Sequence, residues 1–295
     1  MSSVAETALF FQQSPYWFAA VVFLFSLCVG SFLNVVVYRL PLMMEKSWQQ
    51  EYQEYFSPDL EPANAPVFNL AVPRSACPHC KHQLSALDNI PLLSYLLLQG
   101  KCRYCKAPVS LRYPLLELAT ALLSAVVAWQ FGATATGLLY LGVTWALLAL
   151  TFIDIDKMLL PDQITLPLLW LALVAAVAGF SKVDAATAIT GAAFGYLALW
   201  SVYWLFKLLT GKEGMGYGDF KLLAVFGALL GWQQLPLIIL LSSFVGAVIG
   251  SVLLAMQGKD KNNAIPFGPY IAAAGWIAML WGEQITAAYL SMIQL

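Results

Sequence analysis

The chain has 295 residues, 60% hydrophobic and only 11% charged, with a mean hydropathy of +0.73. That is far too apolar for a soluble domain, and a formal net charge of -1 with no basic arm gives no footing for a nucleic-acid partner. The composition is that of an all-α polytopic protein held in a lipid bilayer.

Runs long enough to span, at about 20 residues each, cover 16–38, 114–131, 134–153, 163–180, 185–209, 235–256 and 269–291, with a shorter one at 219–232. The first run has neither a basic n-region nor a small-residue cleavage site, so it reads as a retained helix rather than a removed signal. Counting the short run gives eight transmembrane helices and sorts fourteen of the fifteen lysines and arginines to one side, with only Lys182 on the other. The excess marks that side as cytoplasmic. The organisation expected is a first segment and helix over 1–40, a cytoplasmic domain over 41–113, and a transmembrane domain over 114–295.

The first helix carries Gly30, Ser31 and Asn34 near its inner end, which fits close helix packing with Asn34 bonding to a neighbour; Cys28 simply packs. Residues 43–56, rich in Glu, Gln, Tyr and Trp, suit a surface helix, and 57–73 with four prolines suits a wrapped loop. Then come Cys77-Pro-His-Cys80 and Cys102-Arg-Tyr-Cys105, separated by twenty-one residues. Two such pairs match a four-cysteine zinc ribbon, each knuckle giving two thiolates to one tetrahedral ion. Four thiolates close the coordination sphere, so the expected role is structural, with His79 and His82 as surface residues. A reducing cytoplasm argues against disulfides. Between the knuckles, 90–98 is an apolar run too short to span, either the domain's own core or a piece dipping into the membrane interface. Glu117 enters about one turn inside the second helix and is expected to pair with Arg112 or Arg39.

The third helix ends in Asp154-Ile-Asp156-Lys157. Asp154 and Asp156 are two apart and cannot share a helix face. Asp154 is the deeper. Asp156 beside Lys157 suits a solvated pair, and Asp162 after Pro161 suits the first turn of the next helix. After the fifth helix the stretch Glu213-Gly-Met-Gly-Tyr-Gly-Asp-Phe-Lys221 puts Asp219 behind Gly214, Gly216 and Gly218. No strand precedes these glycines and no Gly-Lys-Ser/Thr follows, so they are no phosphate loop. They are expected to open φ values closed to other residues and to let a substrate backbone approach. Glu213 and Lys221 read as interface charges, and Glu283 as an outer-face acid.

An acid at the edge of hydrocarbon is costly unless solvated, paired or protonated. The sign sorting sets Asp154 and Asp219 at one depth, where two facing carboxylates tend to share a proton. The ionised member can take a proton from an attacking water while its partner supports the developing oxyanion. That is aspartic proteolysis. A helix N-terminus beside Asp219 favours it as the anion.

Gly216-Tyr-Gly218-Asp219 resembles the Gly-x-Gly-Asp signature of intramembrane aspartyl proteases, and Asp154 ahead of Pro161-Asp162 resembles the first-aspartate motif of the type IV prepilin peptidases. The likeness extends to Gly30-Ser-Phe-Leu-Asn34, Arg74-Ser-x-Cys77, Asp88-Asn-Ile-Pro91, Gly100-x-Cys102-Arg, Arg112-Tyr-Pro and Pro266-Phe-Gly268, nearly the whole chain. It implies a bacterial inner-membrane enzyme that cleaves prepilins and pseudopilins of type IV pilus and type II secretion systems at the cytoplasmic face. Members with a cysteine domain also methylate the new N-terminal amine from S-adenosylmethionine, which the resemblance places around Gly100. The alternatives are a peptidase without methylation, a proton-coupled transporter, for which the missing internal repeat counts against, and a non-enzymatic assembly platform.

Overall fold

The computed structural model describes residues 10–56, 67–257 and 265–293. It divides into two compact units, residues 1–132 and 133–295.

The first unit is built on two helices. Helix α1, Pro15–Phe56, runs for 42 residues with Pro41 inside it, so the segment 43–56 continues the first span instead of forming a separate surface helix. Proline costs α1 one backbone bond, but the following Met, Glu, Lys and Gln are good helix formers and carry the helix on. Between α1 and α3 (Arg112–Phe131) lies a small lobe with a single 3-10 turn, Leu87–Asn89, and a one-turn helix α2, Leu93–Leu97. Its only β pairing among the described residues is two isolated bridges, Ala76 with Gln83 and Lys101 with Pro108. Helices α1 and α3 meet closely: a Cβ on Gly30 would stand 2.7 Å from Glu117 Cα, the contact small residues permit in membranes. Asn34 Nδ2 donates to the Tyr113 carbonyl at 3.2 Å, as its place in the sequence suggests.

The second unit contains α4 (Ala135–Lys157), α5 (Asp162–Val177), α6 (Ala185–Thr210), α7 (Tyr217–Leu230), α8 (Leu235–Gln257) and α9 (Gly268–Ile293). Local signals set the ends. Thr134 caps α4 by accepting the Gly137 N–H, Met158 closes it in the left-handed conformation, Asp184 caps α6 through the Thr187 N–H, and left-handed Gly211 ends it. The eight expected spans each fall on a helix, α1 and α3 to α9. Among the described residues five stretches, in α1, α3, α4, α6 and over Trp232–Val252, are long and apolar enough to cross a membrane, and α5 is a shorter apolar helix.

Helix α7 has only 14 residues because it starts at the glycines and is enclosed by its neighbours. Asp219, Phe220 and all residues from Leu222 to Leu229 are buried, the pattern of a helix apolar all round. Its contact with α6 is backbone to backbone: a Cβ on Gly191 would lie 2.1 Å from the Gly227 carbonyl oxygen, and one on Gly227 2.0 Å from that of Gly191.

Candidate active site

In the second unit, Asp154 lies one turn before the end of α4 and Asp219 in the first turn of α7; both are buried, 5% and 6% exposed. Each is held by one oxygen. Asp154 Oδ2 accepts the N–H of Gly268, first residue of α9, at 3.0 Å. Asp219 Oδ2 accepts the N–H of Gly216 at 3.2 Å, while the Asp219 N–H donates back to the Gly216 carbonyl at 3.3 Å, a reciprocal cap at the start of α7. A helix start thus sits against both acids and does not set Asp219 apart. The Oδ1 atoms accept no hydrogen bond among the described residues, and neither is a fully buried orphan. The two carboxyls are close enough for their charges to interact directly.

Neither Gly216 nor Gly218 works through φ, and only Gly218 works through space. Gly216 has φ -86° and Gly218 lies within helical α7, so neither needs a conformation closed to other residues. A Cβ on Gly218 would stand 2.6 Å from Leu160 Cβ, and one on Gly268 would stand 2.7 Å from Asp154 Oδ2 and 3.0 Å from Leu160 Cδ2. Leu160, in the α4–α5 link, therefore stands against the starts of α7, which carries Asp219, and α9, which holds Asp154 by its first N–H. Sequence reasoning missed it, and missed that Gly268 of the quoted Pro-Phe-Gly motif supplies the N–H to Asp154.

Charged residues around the pair are matched. Lys221 Nζ bonds both oxygens of Asp162, at 2.6 and 2.7 Å, tying the first turn of α7 to the first turn of α5. Lys207 Nζ donates to Glu213 at 2.7 Å and to the Tyr203 hydroxyl at 3.3 Å, and it holds the Glu213 carboxyl below the usual range. At the opposite end of the unit, Lys182 pairs with Glu283 at 3.7 Å.

In the first unit, Cys77, Cys80, Cys102 and Cys105 bring their Sγ atoms within 4.8 Å of one another. The two knuckles are near copies. The Cys77 N–H donates to the His82 carbonyl and the Lys81 N–H to the Cys77 carbonyl, both at 2.9 Å; Cys102 with Ala107 (2.8 Å) and Lys106 with Cys102 (3.1 Å) repeat the pattern. Lys81 and Lys106 both adopt φ of 59°. The Cys80 N–H is the main influence pulling the Cys77 thiol down to about 6. Asp88 joins the loop between the knuckles to the second one: it accepts from the Ser85 hydroxyl at 2.7 Å and pairs with Arg103, contacts that hold its carboxyl below the ordinary range. His79 and His82 are exposed, His82 stacking on Tyr104 at 3.6 Å between ring centroids.

Glu117 does not pair with arginine as expected. Its Oε2 accepts the Leu92 N–H at 2.8 Å, with the Ser31 hydroxyl beside it, whereas Arg39 donates to the carbonyls of Asn69 and Leu70 at 3.0 and 3.4 Å. A neutral amide donor satisfies the acid without burying a second charge.

Residues 24–131 match the model of the bacterial peptidase A24 N-terminal domain, and residues 141–251 that of the type IV leader peptidase family. Among curated relatives, a protein of Aeromonas hydrophila is 59% identical over 94% of this chain and 95% of its own. The chain belongs to the type IV leader peptidase family. A Stutzerimonas stutzeri relative is 56% identical over 97% and 98% of the two chains, and one from Pseudomonas aeruginosa is 56% identical over 95% and 96%. All three carry the name prepilin leader peptidase/N-methyltransferase. No solved structure matches the chain. The family's two domain models fall largely on separate compact units, the first carrying the cysteines and the second the aspartates.

Proposed function

We propose that this type IV leader peptidase cleaves the leader from prepilins and pseudopilins with Asp154 and Asp219 as its catalytic pair, and then methylates the exposed N-terminal amine. The observation that carries the first half is the symmetric seating of the two acids: one oxygen of each is fixed by a backbone N–H at a helix start, and the other is left for water and substrate. With one proton between them, the ionised carboxylate removes a proton from water as its oxygen attacks the scissile carbonyl. The protonated partner gives its proton to the developing oxyanion, and the carboxyl that took its proton from water passes that proton to the leaving amine as the carbon–nitrogen bond breaks. Gly216 and Gly218 leave the approach to Asp219 free of side chains on the α7 start, with Leu160 filling the space behind Gly218.

Zinc fits the four cysteines. Tetrahedral Zn–S bonds of about 2.3 Å place sulfurs about 3.8 Å apart, and Cys77 Sγ lies 3.8 Å from Cys105 Sγ. All four thiolates would hold the ion, which supplies a fixed crosslink between knuckles and no open coordination position. The methyl-transfer half rests on the relatives' name, with S-adenosylmethionine as the donor and the lobe around Gly100 as its place. The enzyme lies in the bacterial inner membrane with the aspartates and the lobe facing the cytoplasm, consistent with the basic residues collected at the ends that carry them.

Purified protein in lipid, given a prepilin with and without S-adenosylmethionine, should yield a shortened product, heavier by one methyl group only when the donor is present. Asp154→Asn and Asp219→Asn, each nearly isosteric, should each lower cleavage by about a thousandfold or more. Cleavage retained in both variants would overturn the assignment, and a shortened product that never gains the methyl group would leave a peptidase alone.

A further inference from the structure

We infer that residues 90–98, between the two cysteine knuckles, form a membrane-inserted turn whose leucine face lies among lipid acyl chains and seats the four-cysteine lobe on the bilayer. The run was open between a core piece and an interfacial one, and its side chains decide against the core. Leu93, Leu96 and Leu97 occupy one face of α2, at i, i+3 and i+4, and are 49%, 70% and 74% exposed; no residue of α2 is buried. The opposite face is the one that holds the lobe together. Tyr95 donates its hydroxyl to the Val109 carbonyl at 3.3 Å and packs against Gly100.

Depth identifies the occupant. Helix α3 has 20 residues, about 30 Å at 1.5 Å per residue, which is only the thickness of the hydrocarbon. Its first residue, Arg112, therefore marks the boundary, and Glu117 lies about 7 Å inside it. Glu117 Oε2 holds the N–H of Leu92 at 2.8 Å; its side chain leans toward the N-terminus of α3, so the residue just before α2 sits between the boundary and that depth. Leu92 has φ 57° and ψ -47°, and the Leu93 N–H reaches the Pro91 carbonyl at 2.6 Å. This tight turn reverses the chain at Leu92. A short apolar segment at this level, with its backbone bonds closed inside the protein, lies where amphipathic segments insert, about 5–10 Å into the boundary between headgroups and acyl chains. An aqueous partner protein could not reach the leucines without leaving the water.

The test uses the full chain in liposomes with benzoylphenylalanine at position 96 or 97, and at exposed Tyr104 on the second knuckle as control. Irradiation should give lipid adducts at 96 and 97 at least about tenfold above those at 104. Adducts to a second copy or another protein, or none above the control in variants that melt like the parent, would overturn the inference. A second measurement needs no variant: a diazirine dissolved in the acyl region should label the peptide containing residues 90–98 of the native chain, and an unlabelled peptide counts against insertion.

Discussion

Gly268 is the residue whose alteration should speak most directly to how the acids are held. A methyl group there would meet Asp154 Oδ2 at 2.7 Å and Leu160 at 3.0 Å, so Gly268→Ala must displace the carboxylate it now donates to. A displacement of about 1 Å at reacting groups can cost about a hundredfold in rate; kcat should fall by that order with KM little changed, measured on a prepilin in lipid. Gly218→Ala should slow cleavage through Leu160 instead, and the double variant Gly218→Ala/Leu160→Gly should recover part of the loss because the clashing Cβ is gone. Lys221 and Asp162 give a third case. An exposed ion pair contributes about 0–1 kcal/mol to stability, so Lys221→Ala should barely move the melting temperature, yet lower kcat about tenfold by freeing the α7 start from α5. Exchanging the two charges, Lys221→Asp with Asp162→Lys, should restore much of that loss. At this scale the acids themselves were visible in the sequence, since an aspartate at a helix end in hydrocarbon demands explanation. Leu160 and the Gly268 N–H were not, because an apolar residue in a link and an amide of the last helix carry no pattern that points to an acid far away in the chain.

Among the elements, α7 shows what spacing can and cannot reveal. Its existence followed from charge sorting, but its closeness to α6 depends on two glycines facing each other across the helices, and only the Gly191 to Gly195 interval of four hints at a packing face. Because each backbone occupies the room a side chain would need, Gly191→Val should separate the helices and cost about 1–3 kcal/mol or more, read as a lower melting temperature in detergent with loss of cleavage following. The knuckles carry the opposite kind of strain. Lys81 and Lys106 both sit at φ of 59°, a conformation costing a side-chain-bearing residue about 1 kcal/mol. Lys81→Gly with Lys106→Gly should therefore slow metal loss to a chelator. The cysteine spacing announced the knuckles outright; the left-handed lysines could not be seen, since glycine is what marks that conformation in a sequence. The segment 43–56 misled in the other direction, for what reads as a separate surface helix continues through Pro41 as part of 42 helical residues.

For the molecule as a whole, the hydrophobic runs disclosed eight of the helices but not their grouping. The second span belongs with the first, as Gly30 against Glu117 and Glu117 against Leu92 make plain, and the described chain divides after Gly132. A division in which the cysteines and the aspartates lie in different compact units predicts separable losses. Cys77→Ser should reduce zinc below one ion per chain and impair methyl transfer more than cleavage, whereas Asp219→Asn should leave methylation of an already shortened pilin intact. Unchanged metal stoichiometry in Cys77→Ser would refute the ligand assignment.

The bond from Gly268 to Asp154 also bears on how the enzyme is made. The two residues lie 114 positions apart, and the donor opens the final helix. In the order of synthesis both aspartates precede the amide that fixes Asp154. With Asp154 and Asp219 as the proposed pair, a chain ending after α8 lacks this donor and should be present but silent until α9 is supplied, even as a separate polypeptide.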